Sequence, residues 1–351
     1  MPCNFNMRVL AIALFALALI SESFVSMADN ADAGPLIPDA LPKFDSSRKP
    51  DVKKPIKVFL LSGQSNMVGF GNIVGDKPGT LETLVKKEKK FPHLIDSDGK
   101  WVTRNDCYFV DITNKRLASY LTVGVMGRNI GPELQFGHVM GHYHDEVVLV
   151  IKIAQGNRSI SFDVMPPSSR VGAPKVPPFY KGWQYDAFVE DAHTILDNLK
   201  DYYPDYQGQG YEIAGFCWWQ GHKDIGLEQL FYELHLVNLI KDLRKEFEAP
   251  KAPFAIATVG FDGKKMGRGY REIWKAQKAV AKARDYPKFE GNVMTVDARP
   301  FWREKAVSPG THGHHYNQNA ETYYLVGDAL GRMMATMLEA QRADGKIKDR
   351  E

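Results

Sequence analysis

Val58-Phe-Leu-Leu-Ser-Gly-Gln-Ser-Asn-Met-Val-Gly-Phe-Gly71 is an apolar run that breaks into small and polar residues around Ser65. Ile56 to Leu61 reads as a buried central strand, and Gly63 lets the chain turn sharply just before the serine. Ser65 then stands at the carboxyl end of that strand, the edge at which open α/β sheets bind ligands. A serine is a weak nucleophile alone, so such a site needs a histidine base and N–H donors for an oxyanion. Ser62-Gly-Gln-Ser-Asn66 also reads as a plain strand-to-helix turn, with Ser or Asn capping the next helix. The remainder of the chain has to decide between the two.

Working outward, four more strands are expected at Val147 to Ile153, Ile213 to Trp218, Phe254 to Val259 and Val293 to Val296. Helical spacing follows Gly131-Pro-Glu133, recurs over Phe188 to Leu199 and Leu230 to Phe247, and returns near Tyr270 to Arg284 and Asn319 to Ala340. Strands alternating with helices predict a five-stranded parallel sheet with right-handed crossovers, in one α/β domain over residues 55–342. Residues 72–128, including strand-like Asp106 to Thr113, are expected as an insertion over the site's rim. Pro166 to Pro178 is expected as a second rim loop.

The first 28 residues have Arg8, the apolar run Val9 to Ile20 and Ser26-Met-Ala28, the pattern of a cleavable export signal. That run is too short to span a bilayer comfortably, although an uncleaved anchor is an alternative. Residues 29–54 read as a linker and 343–351 as a charged tail. The protein is therefore expected to be secreted or periplasmic, with no stable membrane span after signal removal. With Cys3 removed, Cys107 and Cys217 remain; they could pair in an oxidising compartment, but their apolar surroundings favour buried free thiols. A net charge of +3 over 351 residues provides no basic stripe for nucleic acid. His138, His142 and His144 are expected on the surface of one helix, where a pair four apart can grip zinc, but no further ligand set follows a metalloprotease pattern. Neither metal nor cofactor is expected.

In this layout Ser65, Gly156 and Gln220 stand at the ends of strands one, two and three, and the histidines near 315 follow strand five. Four loops converge on one sheet edge. The main-chain N–H of Ser65, that of Gly156 and the side-chain amide of Gln220 would form an oxyanion hole.

Gly63-Gln64-Ser65-Asn66-Met67 together with Trp218-Trp219-Gln220-Gly221 resembles the sialate O-acetylesterase and acetylxylan esterase group, carbohydrate esterases of the SGNH-hydrolase superfamily. The likeness covers residues 56–340 and preserves the order of the blocks. It implies a flavodoxin-like three-layer α/β/α sandwich and metal-free attack by Ser65 on an O-acetyl ester. Gly156 then corresponds to the second-block glycine, with Gly131 as the fallback, and Gln220 stands where other members place asparagine. Two blocks depart from the pattern. His222 replaces the acid of Gln-Gly-Glu, and the family's Asp-x-x-His is replaced by His312-Gly-His314-His315-Tyr-Asn317. His315 best fits the base, which puts His312 in the acid's place. An acid from elsewhere is then needed, Asp297 or Glu304, with Asp297 preferred, unless a backbone carbonyl orients the ring. Gln64, Asn66, His222, His312 and His314 complete the candidate set.

The resulting expectation is a serine esterase that removes acetyl groups from a sugar or polysaccharide, with Trp183, Trp219 and Tyr180 available to stack on sugar rings. Two other readings exist: a carbohydrate-binding protein of the same fold that has lost turnover, and a zinc-dependent deacetylase using the histidines.

Overall fold

The strand carrying the quoted stretch runs Ile56–Gly63 (β1) and lies at the centre of a seven-stranded sheet. The structure, a computed structural model, describes residues 36–111, 117–172, 180–226 and 228–348. The expected export signal and Cys3 lie outside the described residues, as do 112–113 of the expected rim strand, 173–178 of the Pro-rich loop and 349–351 of the tail.

After β1 come the short helix α1 (Ser65–Val68) and β2 (Gly71–Asn72), then β3 (Thr103–Asp111), β4 (Leu117–Thr122) and β5 (Asn129–Ile130). Helix α2 (Glu133–Tyr143) leads into β6 (Val148–Ala154). Helices α3 (Trp183–Asp197) and α4 (Leu199–Tyr202) precede β7 (Tyr211–Trp219), and α5 (Tyr232–Glu246) precedes β8 (Phe254–Ala257). The chain finishes with α6 (Arg268–Ala279), β9 (Val293–Val296) and α7 (Ala320–Lys348).

The sheet order is β4-β3-β6-β1-β7-β8-β9, parallel throughout except for β4, which runs antiparallel at the edge beside β3. The five expected strands are present in the doubly wound order 2-1-3-4-5. The expected count was too low, because residues 106–111 join the sheet rather than roof it. Cys107, Phe109 and Val110 are fully buried, and pairing with β6 satisfies the polar edge that strand would otherwise expose.

Adjacent residues of a strand face opposite sides of the sheet, and β7 shows what covers each. A side chain at Gly215 would strike Met334 of α7, whereas Phe216 contacts Phe247, just past α5, at 6.1 Å. Phe188 of α3 also packs on Phe247, and Phe59 of β1, in register with Gly215, meets Phe136 of α2 edge-on at 5.3 Å. Helices α2 and α7 pack together on one side, and α3 and α5 lie on the other.

This packing corrects three expectations. His138 of α2 and His144 just past its end are expected at the helix surface, but α7 and the sheet enclose that helix, so both are buried. Among the described residues no three His, Cys, Asp or Glu side chains are grouped to hold a metal ion. Residues 40–54 are no free linker: Arg48 pairs with Asp145 at 2.6 Å, and the Asp51 N–H bonds the Asp145 carbonyl at 2.7 Å. The last helix continues to Lys348, taking up most of the expected tail.

Candidate active site

Strands β1, β6, β7, β8 and β9 all end on one edge, at Gly63, Ala154, Trp219, Ala257 and Val296. Gly63 is demanded by space: a Cβ there would lie 2.2 Å from the Trp219 carbonyl oxygen. That contact lets β1 turn tightly against β7, with the Gln64 N–H on the same carbonyl at 3.3 Å. Ser65 opens α1 and is 7% exposed. Gly156, in the exposed loop after β6, faces it closely; a Cβ on Gly156 would sit 3.9 Å from the Ser65 Cβ. Among the described residues, neither the Ser65 nor the Gly156 N–H has a main-chain acceptor.

The histidine loop is stitched to the serine block. Asn66 donates from Nδ2 to the His314 carbonyl at 3.1 Å, and the Tyr323 hydroxyl bonds both Asn66 Oδ1 (2.8 Å) and the His315 carbonyl (3.2 Å). The His315 ring stacks on Phe70 with centroids 4.0 Å apart and planes 7° from parallel. Burial, then the neighbouring His314, His222 and His312, push its pKa down to about 4. The imidazole is therefore neutral at pH 7, the form that accepts a proton.

Tyr316, Asn317 and Gln318 follow with φ of 48°, 52° and 59°, three successive left-handed residues with side chains. Each costs about 1–2 kcal/mol relative to ordinary backbone. The turn is held by many bonds: the Gly260 N–H on the Tyr316 hydroxyl (2.9 Å), Asn317 Nδ2 on the Arg303 carbonyl (3.0 Å), and the Asn317 N–H on the His312 carbonyl (3.0 Å). Strain maintained in this way immediately after a candidate base is a recurrent feature of functional sites.

Asp297 does not orient His315. Burial raises its pKa, but bonds from the Arg299 side chain and N–H and from Trp274 outweigh this and lower it. Its oxygens accept Arg299 Nη2 at 2.6 Å, Arg299 Nε at 2.9 Å and Trp274 Nε1 at 3.1 Å. Glu304 is exposed and lies 3.8 Å from Lys265. His312 is exposed, and its ring meets His314 edge-on at 6.0 Å. His314 in turn lies parallel to His222, centroids 5.4 Å apart. His222 accepts or donates at Nδ1 with the Tyr270 hydroxyl at 2.6 Å, and burial followed by His314 lowers its pKa.

Gln220 differs from expectation as well. Its Nε2 is engaged inside the protein, with Gln64 Oε1 at 3.1 Å, the Arg158 carbonyl at 2.8 Å and Asp224 Oδ2. Two amide hydrogens among three acceptors leave none for an oxyanion. Gly131, the fallback glycine, gives its N–H to Glu133 Oε1 at 2.9 Å and packs on Gly69. Trp219 is core, 1% exposed with Nε1 on the Thr258 carbonyl; Trp183 is half-buried beneath Arg158 at 4.7 Å. Tyr180 bonds Asp186 at 2.9 Å.

Two groups escaped the sequence reading. Asp224, fully buried, accepts Ser159 Oγ (2.7 Å), the Ile160 and Ser161 N–H groups and Gln220 Nε2, tying the Gly156 loop to the end of β7. Lys152 is fully buried in β6 and pairs with Glu133 at 2.8 Å. A lysine inside a strand read as buried on both faces is a signal, since such a charge requires a buried partner.

Among solved structures, a protein from Arabidopsis thaliana is similar over 80% of this chain and 98% of its own, at 18% identity and a TM-score of 0.51. A carbohydrate acetylesterase from Xanthomonas citri is similar over 78% of this chain and 56% of its own, at 10% identity and a TM-score of 0.49. A carbohydrate esterase family 2 enzyme from Corynascus thermopiles (Myceliophthora fergusii) is similar over 82% and 68% respectively, at 12% identity and a TM-score of 0.41. Among curated proteins no sequence match was found. The family described as carbohydrate esterase, sialic acid-specific acetylesterase, matches residues 55–336, and with most of its length inside that match the chain belongs to this family.

Proposed function

We propose that the protein is a secreted serine carbohydrate O-acetylesterase of the SGNH type on a flavodoxin-like three-layer sandwich. The observation that carries this reading is the hydrogen-bonded stitching of the serine block to the histidine loop through Asn66 and Tyr323, which ties the backbone of His314 and His315 to the residue after Ser65. His315 takes the proton from Ser65 Oγ as that oxygen bonds to the acetyl carbon. The resulting oxyanion is held by the Ser65 and Gly156 N–H groups, while Asp224 and Gln220 fix the loops that present them. Collapse expels the sugar oxygen, which takes the proton back from His315. Water repeats the sequence to release acetate. No residue of this chain is assigned to a metal. The export pattern of residues 1–28 supports secretion, and among the described residues no helix is long and apolar enough to cross a membrane.

The sugar is assigned to a cavity of about 510 Å³ lined by Asn72, Val74, Arg128, Asn129 and Gln318. Its lining joins Asn72, two residues past the stacking Phe70, to Gln318, which ends the left-handed turn after His315. Three amides there suit sugar hydroxyls, and the exposed Arg128 suits a carboxylate on an acidic sugar.

Hydrolysis of 4-nitrophenyl acetate tests the reading. Ser65→Ala and His315→Ala should each reduce kcat/KM by roughly a thousandfold or more, and a chelator should change nothing. Arg128→Ala should raise KM for an O-acetylated sialic acid about tenfold while leaving the nitrophenyl ester unaffected. A wild type no faster than Ser65→Ala would favour a carbohydrate-binding protein without turnover.

A further inference from the structure

The floor beneath the serine turn contains a buried ion pair that the reaction scheme does not use. Lys152 sits in the middle of β6 with no exposed surface, and Glu133, at the start of α2, is 1% exposed. Lys152 Nζ donates to the Val68 carbonyl at 2.7 Å and to Glu133 Oε2 at 2.8 Å, above the Phe109 ring at 5.4 Å. The other carboxylate oxygen accepts the Gly131 N–H at 2.9 Å. Gly131 lies against Gly69, where a Cβ would come within 2.6 Å of the Gly131 nitrogen, and the Gly69 N–H closes α1 onto the Ser65 carbonyl at 3.0 Å. The last two residues of the serine turn are thus held from below, one by the ammonium and one through the carboxylate.

We propose that Lys152 and Glu133 are positioning residues that set where α1 presents the Ser65 hydroxyl. The inference rests on the reading of Ser65 as nucleophile. Stability does not account for the pair, since apolar residues of similar volume serve a buried site as well or better. What an ion pair adds is direction. The Val68 carbonyl and the Gly131 N–H each have a defined partner, so the turn cannot slide along β6. A displacement of about 1 Å at a nucleophile costs on the order of a hundredfold in rate.

The test is the full chain carrying Lys152→Met with Glu133→Gln, which keeps an acceptor for the Gly131 N–H and removes both charges and the Val68 bond. The expected result is a folded protein whose thermal midpoint falls by no more than about 10 °C, for the Val68 carbonyl's lost partner, with an unchanged KM for 4-nitrophenyl acetate. The rate of turnover should fall about tenfold to a hundredfold, and labelling of Ser65 by a fluorophosphonate should slow by the same factor. A folded double variant with wild-type turnover and labelling overturns the proposal. Should the double variant not fold, Glu133→Asp keeps the charge but shortens the tether; it should show the same paired losses at constant KM, and wild-type rates there would equally overturn the idea. A wild type that neither turns over the ester nor is labelled defeats the Ser65 reading itself, and the positioning role with it.

Discussion

His315 has no acid to lean on among the described residues; its ring is set by the Phe70 face and by the strained backbone that follows it. With its pKa pushed down to about 4, it is a weak base that is always in the right form near neutrality. Because the base must be neutral, kcat/KM should hold steady through neutral pH and fall as pH drops through about 4. Phe70→Ala admits water to the ring, so the acid limb should move up by roughly one pH unit, with a loss in turnover; a limb near 6.5 in the wild type would contradict this account. Of these features, the serine, the histidine and even Phe70 stand in stretches singled out from the sequence. Asp297 did not keep its expected role because Arg299, two residues on, takes its carboxylate. Both are visible in the sequence, but which partner wins depends on a loop conformation that is not.

At the scale of elements, the site depends on how closely β1 and β7 approach at their carboxyl ends. Gly63→Ala would place a methyl group 2.2 Å from the Trp219 carbonyl, against backbone that cannot swing aside. A loss of about 3 kcal/mol or more is expected. That corresponds to a fall in thermal midpoint of roughly 6–12 °C in a calorimetric scan. An unchanged midpoint would mean the two strands part freely there. The requirement for glycine could be read from the turn, though its reason, the facing Trp219 carbonyl 156 residues away in β7, could not. The same holds for β3, whose apolar run fits a rim insertion or a sheet strand equally well until β6 offers its edge.

Across the whole molecule, several histidines away from the candidate site are buried, among them His93, His138 and His144. His144 has its pKa lowered to about 4 and His138 well below the ordinary value, each chiefly by burial, and His93 shifts the same way. Their unfolded pKa is about 6.5, so between pH 6.5 and 4 the unfolded chain takes up protons that the folded chain refuses. Stability should therefore fall as pH drops through that window, by on the order of 3 kcal/mol for His144 alone. Denaturant midpoints at pH 7 and 4.5 measure this, and His144→Met should flatten part of the slope; equal midpoints for the wild type would refute it.

The alternation of apolar runs and helical spacing determined the parallel sheet, its five core strands and the arrival of Ser65, Gly156 and the His315 loop at one edge, because periodicity and chain order are properties of the sequence itself. Tertiary structure alone decided which polar groups pair once water is excluded. Gln220 turns inward to Asp224, Lys152 finds Glu133, and His138 goes into the core. A buried donor or charge takes whichever partner packing brings within about 3 Å, and that choice is made by residues far apart along the chain.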